Sequence, residues 1–287
     1  MTPIVAIASV GAARERGDGD LRTRLRWIFP VLAVLTLAAA TCEPPKKAPP
    51  KDVPPGDPCA TLPALGLDPF TQDELDTNWG ADRTFPTGSV TSVNFGGCDN
   101  VAQIGIDSSM ANPDNNFLRT EGLKKPPGMG TADNFGTAVQ INLFLDPAWQ
   151  GNAVRAGFWV VGDDEGARDD DFGIVEFTHI EPSDSGDPPI TDDHVGWRLW
   201  DNDAGWVEST AGFTYGEWVT IRIELDPSAG EYNYFVNGAL IGTVGTVGDE
   251  GGGTFIREVF INQYNFGTHV FPSLSSDSYT GHWFAGV

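Results

Sequence analysis

The stretch that decides the fold runs from Trp218 to Ile241 and reads WVTIRIELDPSAGEYNYFVNGALI. Every second side chain of its first eight residues is aliphatic: Val219, Ile221, Ile223 and Leu225. This period of two is typical of a β-strand with one buried face. Asn237-Gly238 then supplies the positive φ values of a type I′ turn, which predicts a tight hairpin.

The same pattern recurs through the rest of the chain. Thr137–Leu145 alternates in the same way, and further strands are predicted at Ser89–Phe95, Val101–Ile106, Arg155–Val161, Phe172–Thr178, Val195–Trp200, Phe255–Asn262 and Tyr279–Phe284. The exception is Thr71–Trp79, where Thr71 and Glu74 have the spacing of a helix capping box. Many short strands with Gly-rich turns predict an all-β, antiparallel two-sheet β-sandwich or jelly roll.

Residues 1–41 have the features of an export signal. Three arginines precede an apolar run of 14 residues, Trp27–Ala40. This run is shorter than the roughly 20 residues that span a bilayer, but it suits a signal peptide. Leu37–Cys42 resembles the lipobox of bacterial lipoproteins, which implies that Cys42 is acylated and anchors the protein in the cell envelope. Cleavage without acylation would leave a secreted protein.

The segment after the signal peptide is predicted to be a spacer, and the two cysteines beyond it are predicted to form a disulfide. Residues 42–58 form a Pro-rich linker with seven prolines, which is typical of a semi-rigid extended chain. If Cys42 carries lipid, Cys59 and Cys98 remain, and we expect them to form a disulfide in the oxidising exported setting. Residues 59–287 then form the single folded domain.

Charge narrows the choice of partner. The chain has 17 Lys and Arg against 40 Asp and Glu, and residues 1–59 contain 8 of the basic and 6 of the acidic residues. Residues 60–287 therefore carry 9 − 34 = −25. Because phosphate contacts require clustered Lys and Arg, nucleic acid is excluded as a partner, and a membrane is expected only through the lipid anchor.

The runs Tyr215–Asp226 and Tyr234–Gly242 resemble laminin G-like domains of the concanavalin A-like lectin/glucanase superfamily. The resemblance covers most of residues 68–287 and implies two packed sheets, of which the concave one often carries a glycan site. It also implies that Phe70–Trp79 enters the domain as a strand and that Tyr279–Phe284 is the last strand. Members bind glycans, cleave them or contact other proteins, so the fold leaves the function open.

No complete catalytic motif of these relatives is present. The laminarinase-type string Glu-x-Asp-x-x-Glu is absent, and the acidic residues before Glu176 lack its spacing. Three segments weakly resemble the strands of alginate lyases: Arg119-Thr120-Glu121, Gln140-Ile141-Asn142 and Asn262-Gln263-Tyr264. Asn142 stands where histidine is expected, and the four histidines of the chain are too dispersed for a zinc motif. A binding module is favoured over a diverged polysaccharide lyase or glycoside hydrolase.

Acidic loops predict a calcium site. Asp201-x-Asp203-x-Gly205 has the first positions of a calcium loop, and Asp169 and Asp171 lie in an Asp-rich run before a predicted strand. Calcium prefers six to eight oxygen ligands, which such loops supply. The alternative is that these Asp- and Gly-rich segments are simply turns.

The candidate ligand site lies in Val195–Val207, VGWRLWDNDAGWV. In a strand, Trp197 and Leu199 share the core face, and alternation places Arg198 and Trp200 on the other. Aromatic rings stack on the C–H faces of sugars while Arg and carboxylate groups bond to hydroxyls, so the predicted ligand residues are Arg198, Trp200, Asp203 and Trp206. The alternative is that the last two tryptophans only pair across the hairpin.

These features together predict an exported, surface-anchored module that binds a polysaccharide or other glycan. The competing interpretation is an adhesive or structural surface protein that contacts another protein.

Overall fold

The computed structural model describes residues 69–111, 117–126, 134–163, 171–181, 194–246, 253–268, 274 and 278–285. These residues all belong to one compact unit, Pro49–Val287. The predicted signal peptide, Cys42, the linker, Cys59 and Asp169 lie outside the described residues. Within the described ranges, no helix is both long and apolar enough to cross a membrane.

One α-helix and fourteen strands make up the described fold. The helix α1 spans Gln72–Asn78, and the strands, numbered along the chain, are β1 (Gly80–Arg83), β2 (Val90–Phe95), β3 (Cys98–Ile106), β4 (Thr120–Lys125), β5 (Ala138–Phe144), β6 (Val154–Gly162), β7 (Phe172–His179), β8 (Val195–Asp201), β9 (Gly205–Glu208), β10 (Trp218–Asp226), β11 (Glu231–Val236), β12 (Ala239–Gly245), β13 (Ile256–Tyr264) and β14 (Tyr279–Phe284). Short 3₁₀ helices occupy Ser108–Met110, Phe117–Arg119 and Pro147–Gly151.

The strands form two antiparallel sheets of seven. Sheet A has the order β1-β4-β13-β6-β7-β8-β9, and sheet B has the order β12-β11-β10-β5-β14-β3-β2. The core lies between them, and the alternating aliphatic residues of β5 and β10 enter it as predicted. Sheet A contributes Phe158, Phe177 and Trp197 from the other side. The two-sheet antiparallel β-sandwich expected from the sequence is therefore confirmed.

The sequence predicts a helix at Thr71–Trp79, whereas the family resemblance implies a strand at Phe70–Trp79, and the structure shows a helix there. The Thr71 side-chain oxygen accepts a hydrogen bond from the Glu74 backbone N–H at 3.1 Å and caps α1. Leu75 is buried on the inner side of this helix. The helix with its Thr71 N-cap is thus confirmed, and the strand entry implied by the family resemblance is wrong. The reciprocal half of the capping box is absent, because the Thr71 N–H donates to the Pro69 carbonyl and Glu74 accepts from Asn78 and Lys125. The expected final strand is confirmed as β14, between β3 and β5.

The β8–β9 hairpin is joined to sheet B along one edge of the sandwich. The Ser209 hydroxyl donates to the Ile241 carbonyl at 3.1 Å, and the Asn202 amide donates to the Gly245 carbonyl at 3.4 Å. A Cβ at Gly242 would lie 2.3 Å from Leu199 Cδ1, so a larger residue there would require the Leu199 side chain to shift. These contacts occupy edge carbonyls of β12 and fix the position of the hairpin.

A buried histidine on the outer face of sheet B is expected to make the free energy of unfolding depend on pH. His282 is 7% exposed and stacks on Phe95 with ring centroids 3.7 Å apart. Burial lowers the pKa of His282 below its ordinary value of 6.5, an effect that the charge of Asp146 partly opposes. The folded protein therefore binds a proton at His282 less readily than the unfolded chain does. Neutral His282 stabilises the fold above pH 6.5, and this contribution to the free energy of unfolding is lost as the pH falls from 6.5 towards the lower pKa of the folded state.

We expect the free energy of unfolding to fall more steeply in the wild type than in His282→Gln between pH 7.5 and pH 5.5. Urea unfolding curves at the two pH values measure this difference, and the variant serves as the control for all other titrating groups. Equal pH dependence in both proteins would contradict the assignment to His282.

Candidate functional site on the outer face of sheet A

The face of sheet A turned away from sheet B carries two contrasting rows of side chains that run across the strands. In register order the polar row contains Asp82, Asn262, Glu176, Arg198 and Glu208. Two residues away along each strand, on the same face, an apolar row contains Phe260, Trp159, Ile174, Trp200 and Trp206. The apolar row forms a cluster separate from the main core. Polar and aromatic groups are thus available on one surface.

Two glycines interrupt the polar row and let larger side chains lie flat on the sheet. Gly157 stands between Asn262 and Glu176, and a Cβ there would lie 2.4 Å from Trp159 Nε1 and 2.7 Å from Glu176 Cγ. A Cβ at Gly122 would lie 2.0 Å from Asn262 Oδ1. Both glycines are therefore required by the close approach of neighbouring side chains.

Glu176 is the centre of a buried network. Its Oε2 accepts hydrogen bonds from Arg198 Nε at 3.1 Å and Nη2 at 2.8 Å, and its Oε1 accepts from Trp159 Nε1 at 3.2 Å. Arg155 Nε lies 3.7 Å from the same Oε2. Because Glu176 is 2% exposed and Arg198 is 1% exposed, this charge-assisted pair is desolvated and held in one geometry.

Arg198 in turn holds a tryptophan in place. Its guanidinium carbon lies 3.7 Å from the centroid of the Trp206 ring, close enough for a cation–π contact. Trp206 also meets Trp200 edge to face, with centroids 5.2 Å apart and an interplanar angle of 72°. Both tryptophans remain partly exposed. The cross-strand pair of the alternative interpretation is therefore present, but it does not exclude contact with a ligand.

The predicted site residues fall into three environments. Trp197 and Leu199 are buried in the core, and Arg198 and Trp200 lie on the opposite face, as predicted. The Arg198 guanidinium lies beneath Trp206 and bonds to Glu176, and its contact with a ligand stays a prediction. The described structure places Asp203 apart from this network, exposed in the β8–β9 turn.

Two of the four acidic residues considered for calcium, Asp201 and Asp171, make hydrogen bonds within the protein. Asp201 Oδ1 accepts the backbone N–H groups of Asp203 at 2.9 Å and Ala204 at 2.8 Å, which is a turn contact. Asp171 is buried and accepts a hydrogen bond from the Tyr232 hydroxyl at 3.0 Å. Among the described residues, no three His, Cys, Asp or Glu side chains cluster as metal ligands would. Calcium binding stays a prediction.

Cys98 is fully buried and disulfide-bonded. Its predicted partner, Cys59, lies outside the described residues. The buried position is consistent with a structural rather than a reactive cysteine.

Two of the lyase-like segments are neighbours in β4 and β13, where Glu121 is opposite Gln263 and Thr120 is opposite Tyr264, but the third lies on sheet B. Glu121 points into the sandwich, where Thr87 and Asn265 donate hydrogen bonds to it, and burial raises the pKa of its carboxyl. Asn142 lies on the outer face of sheet B, where its side chain bonds to the Phe284 carbonyl at 3.1 Å. Asn262 lies on the outer face of sheet A. The order of these segments in the sequence therefore has no counterpart in a shared site.

Two further groups on sheet A are notable. Asn262 is 2% exposed, and its amide nitrogen donates to Asp82 Oδ2 at 3.0 Å, whereas its Oδ1 has no hydrogen-bond partner in the described part of the chain. Arg83 adopts a φ of +50° and places its guanidinium 4.7 Å from the Trp159 ring centroid. Burial lowers the pKa of Arg83, and the negative charges of Asp82 and Glu176 partly offset this effect by raising it. Left-handed backbone at a non-glycine residue often marks a functional position.

Comparisons with known proteins find similarity only to the overall structure of other proteins. No family model matches the chain. No curated protein matches it either. Similar solved structures include a glycoside hydrolase family 16 endo-glucanase from Bacteroides ovatus, with 9% identity and a TM-score of 0.45 over 77% of this chain and 97% of that one.

A GlcNAcα1-4Gal-releasing endo-β-galactosidase from Clostridium perfringens has 13% identity and a TM-score of 0.43, over 80% of this chain and 62% of that one. A sialidase has 9% identity and a TM-score of 0.41 over 78% of this chain, which spans only 18% of that protein. These identities and TM-scores are too low to carry information about substrate or activity.

Proposed function

We propose that this protein is a surface-anchored module that binds a polysaccharide through the outer face of sheet A. The observation that supports this most is the Trp206 ring, which is held on Arg198 by Glu176 and lies beside Trp200 at a partly exposed surface. A rigid aromatic platform binds with a small loss of conformational freedom, because its side chains are already ordered before the ligand arrives. Sugar rings offer the C–H faces that stack on such a platform.

The proposed protein also has five features predicted from the sequence. These are assignment to the laminin G-like group, export by a lipoprotein-type signal, acylation of Cys42, the Cys59–Cys98 pairing, and calcium in the acidic loops. In this view the linker 42–58 holds the binding domain away from the cell envelope.

Replacing Trp206 with alanine tests the proposed site. We expect Trp206→Ala to fold and to lose about tenfold or more in affinity for glycans that the wild type binds, since burial of an aromatic side chain contributes roughly 1.5–3 kcal/mol. The measurement is a glycan array of the full-length protein, probed with millimolar calcium and again with excess chelator, followed by titration of the best ligand. Leu240→Ala is the control, because Leu240 is 56% exposed on sheet B.

A folded Trp206→Ala protein with undiminished affinity would show that the ligand binds elsewhere. Absence of glycan binding by the wild type, together with capture of a purified surface protein, would favour the protein-binding alternative. Release of reducing ends or unsaturated uronates from a polysaccharide panel would instead favour an enzyme.

A further inference from the structure

Among the residues that the structure describes, most charged side chains on the outer face of sheet A form ion pairs within the protein, and Glu208 is the exposed exception. Three ion pairs lie along it: Asp82–Arg83 at 2.7 Å, Glu176–Arg198 at 2.8 Å and Lys124–Glu258 at 3.8 Å. Arg155 adds a further contact with Glu176 at 3.7 Å. These seven groups are three acidic and four basic side chains, and the exposed Glu208 adds a fourth acidic one, so opposite charges largely offset one another among the described residues of this face.

Burial and stacking keep the central charges from a ligand. Glu176 and Arg198 are almost inaccessible to solvent, and the Trp206 ring covers the Arg198 guanidinium. Arg83 lies on Trp159 and is bonded to Asp82. A ligand on this face meets aromatic rings first, not the ions beneath them. Breaking these pairs to bind a ligand charge would carry the desolvation and pairing cost of buried ions.

The rest of the domain opposes polyanions in a different way. Residues 60–287 carry 9 − 34 = −25, so a polymer of uronate or sulfate groups approaches a strongly negative body. This repulsion extends over a Debye length of about 8 Å at physiological ionic strength. Because most charges on this face are paired and the domain repels polyanions, we expect an uncharged polymer to bind better than a polyanion.

Building on the proposed function, we propose that the ligand is an uncharged polysaccharide and that Glu176 determines this specificity by offsetting the charge of Arg198 and part of the charge of Arg155. Removal of the Glu176 charge would leave these two guanidinium groups with less negative charge at the centre of the face. The more positive potential of the face would then weaken its rejection of a carboxylate or sulfate, without direct contact between the ligand and the Arg198 guanidinium that Trp206 covers. Trp206 would remain the stacking platform for either ligand.

The test begins with wild-type affinities for neutral glucans, galactans and mannans, for alginate and polygalacturonate, and for chitosan. We expect a neutral polymer to bind best and its Kd to change less than about twofold between 20 and 500 mM NaCl, because salt screens only charge interactions. Strongest binding to a polyuronate or to chitosan, weakening as salt rises, would overturn the inference but leave glycan binding intact. Absence of binding to any glycan would overturn the proposed function itself.

A charge variant then tests the role of Glu176. In Glu176→Gln we expect the preference for neutral polymer over polyuronate to fall by about tenfold, which corresponds to about 1.4 kcal/mol. Glu224→Gln is the matched control, since it removes one carboxylate from the Arg222 ion pair on the opposite sheet and changes the net charge equally. Equal changes in both variants would assign specificity to net charge and overturn the role of Glu176. If Glu176→Gln fails to fold, the wild-type salt series still decides the ligand class.

Discussion

Arg198→Ala is expected to lower the free energy of unfolding by about 3–5 kcal/mol. The substitution leaves the Glu176 carboxylate buried without the two hydrogen bonds that Arg198 donates. It also removes the guanidinium on which Trp206 stacks. Loss of one partner from a buried pair costs more than the pair contributes to stability, because the remaining charge stays desolvated.

Urea unfolding measures this loss of stability, and two further variants serve as comparisons. The double variant Glu176→Gln/Arg198→Met removes both charges and is expected to recover much of the lost stability. Arg222→Ala breaks the half-exposed pair with Glu224 and is expected to cost less than about 1 kcal/mol. If Arg198→Ala cost no more than Arg222→Ala, the buried network around Glu176 would be refuted.

Trp197→Ala is expected to destabilise the fold by about 3–5 kcal/mol as well, for a different reason. Trp197 is fully buried, and its ring meets Phe177 edge to face with centroids 5.4 Å apart. Truncation leaves a large cavity between the sheets, which the surrounding strands cannot collapse to fill.

Trp200→Ala is the matched control for this core substitution, because Trp200 lies on the opposite face of the same strand and is partly exposed. We expect it to cost clearly less stability in the same urea experiment. A larger loss from Trp200→Ala than from Trp197→Ala would mean that the faces of β8 are reversed, since a slip of one residue exchanges them.

Much of the sandwich could be predicted because alternation is a local property of the sequence. The faces of β8 followed directly from the order Trp197, Arg198, Leu199, Trp200, and the Asn237-Gly238 turn fixed the β11–β12 hairpin. Strand β4 was missed because its sequence, TEGLKK, has no apolar alternation. Its buried Lys125 is compensated by Glu74, 2.5 Å away on α1, and that contact is not encoded in neighbouring residues.

The site was only partly predictable, because it is built across strands that are distant in the sequence. Trp200 and Trp206 belong to one hairpin, so their pairing could be expected. Glu176 and Trp159 come from β7 and β6, and only the register of those strands brings them to Arg198. Alternation alone could place Trp159 and Glu176 on a shared face only after the two strands were known to be neighbours.

The most direct test of binding on sheet A is a titration of the nine indole N–H signals of the full-length protein with its best glycan ligand. Assigned by single Trp→Phe variants, these signals report on both faces of the sandwich. We expect the Trp206 and Trp200 signals to shift on saturation, while Trp218, on sheet B, stays unchanged. A shift of Trp218 with no change at Trp200 and Trp206 would place the ligand on the other sheet and contradict the account.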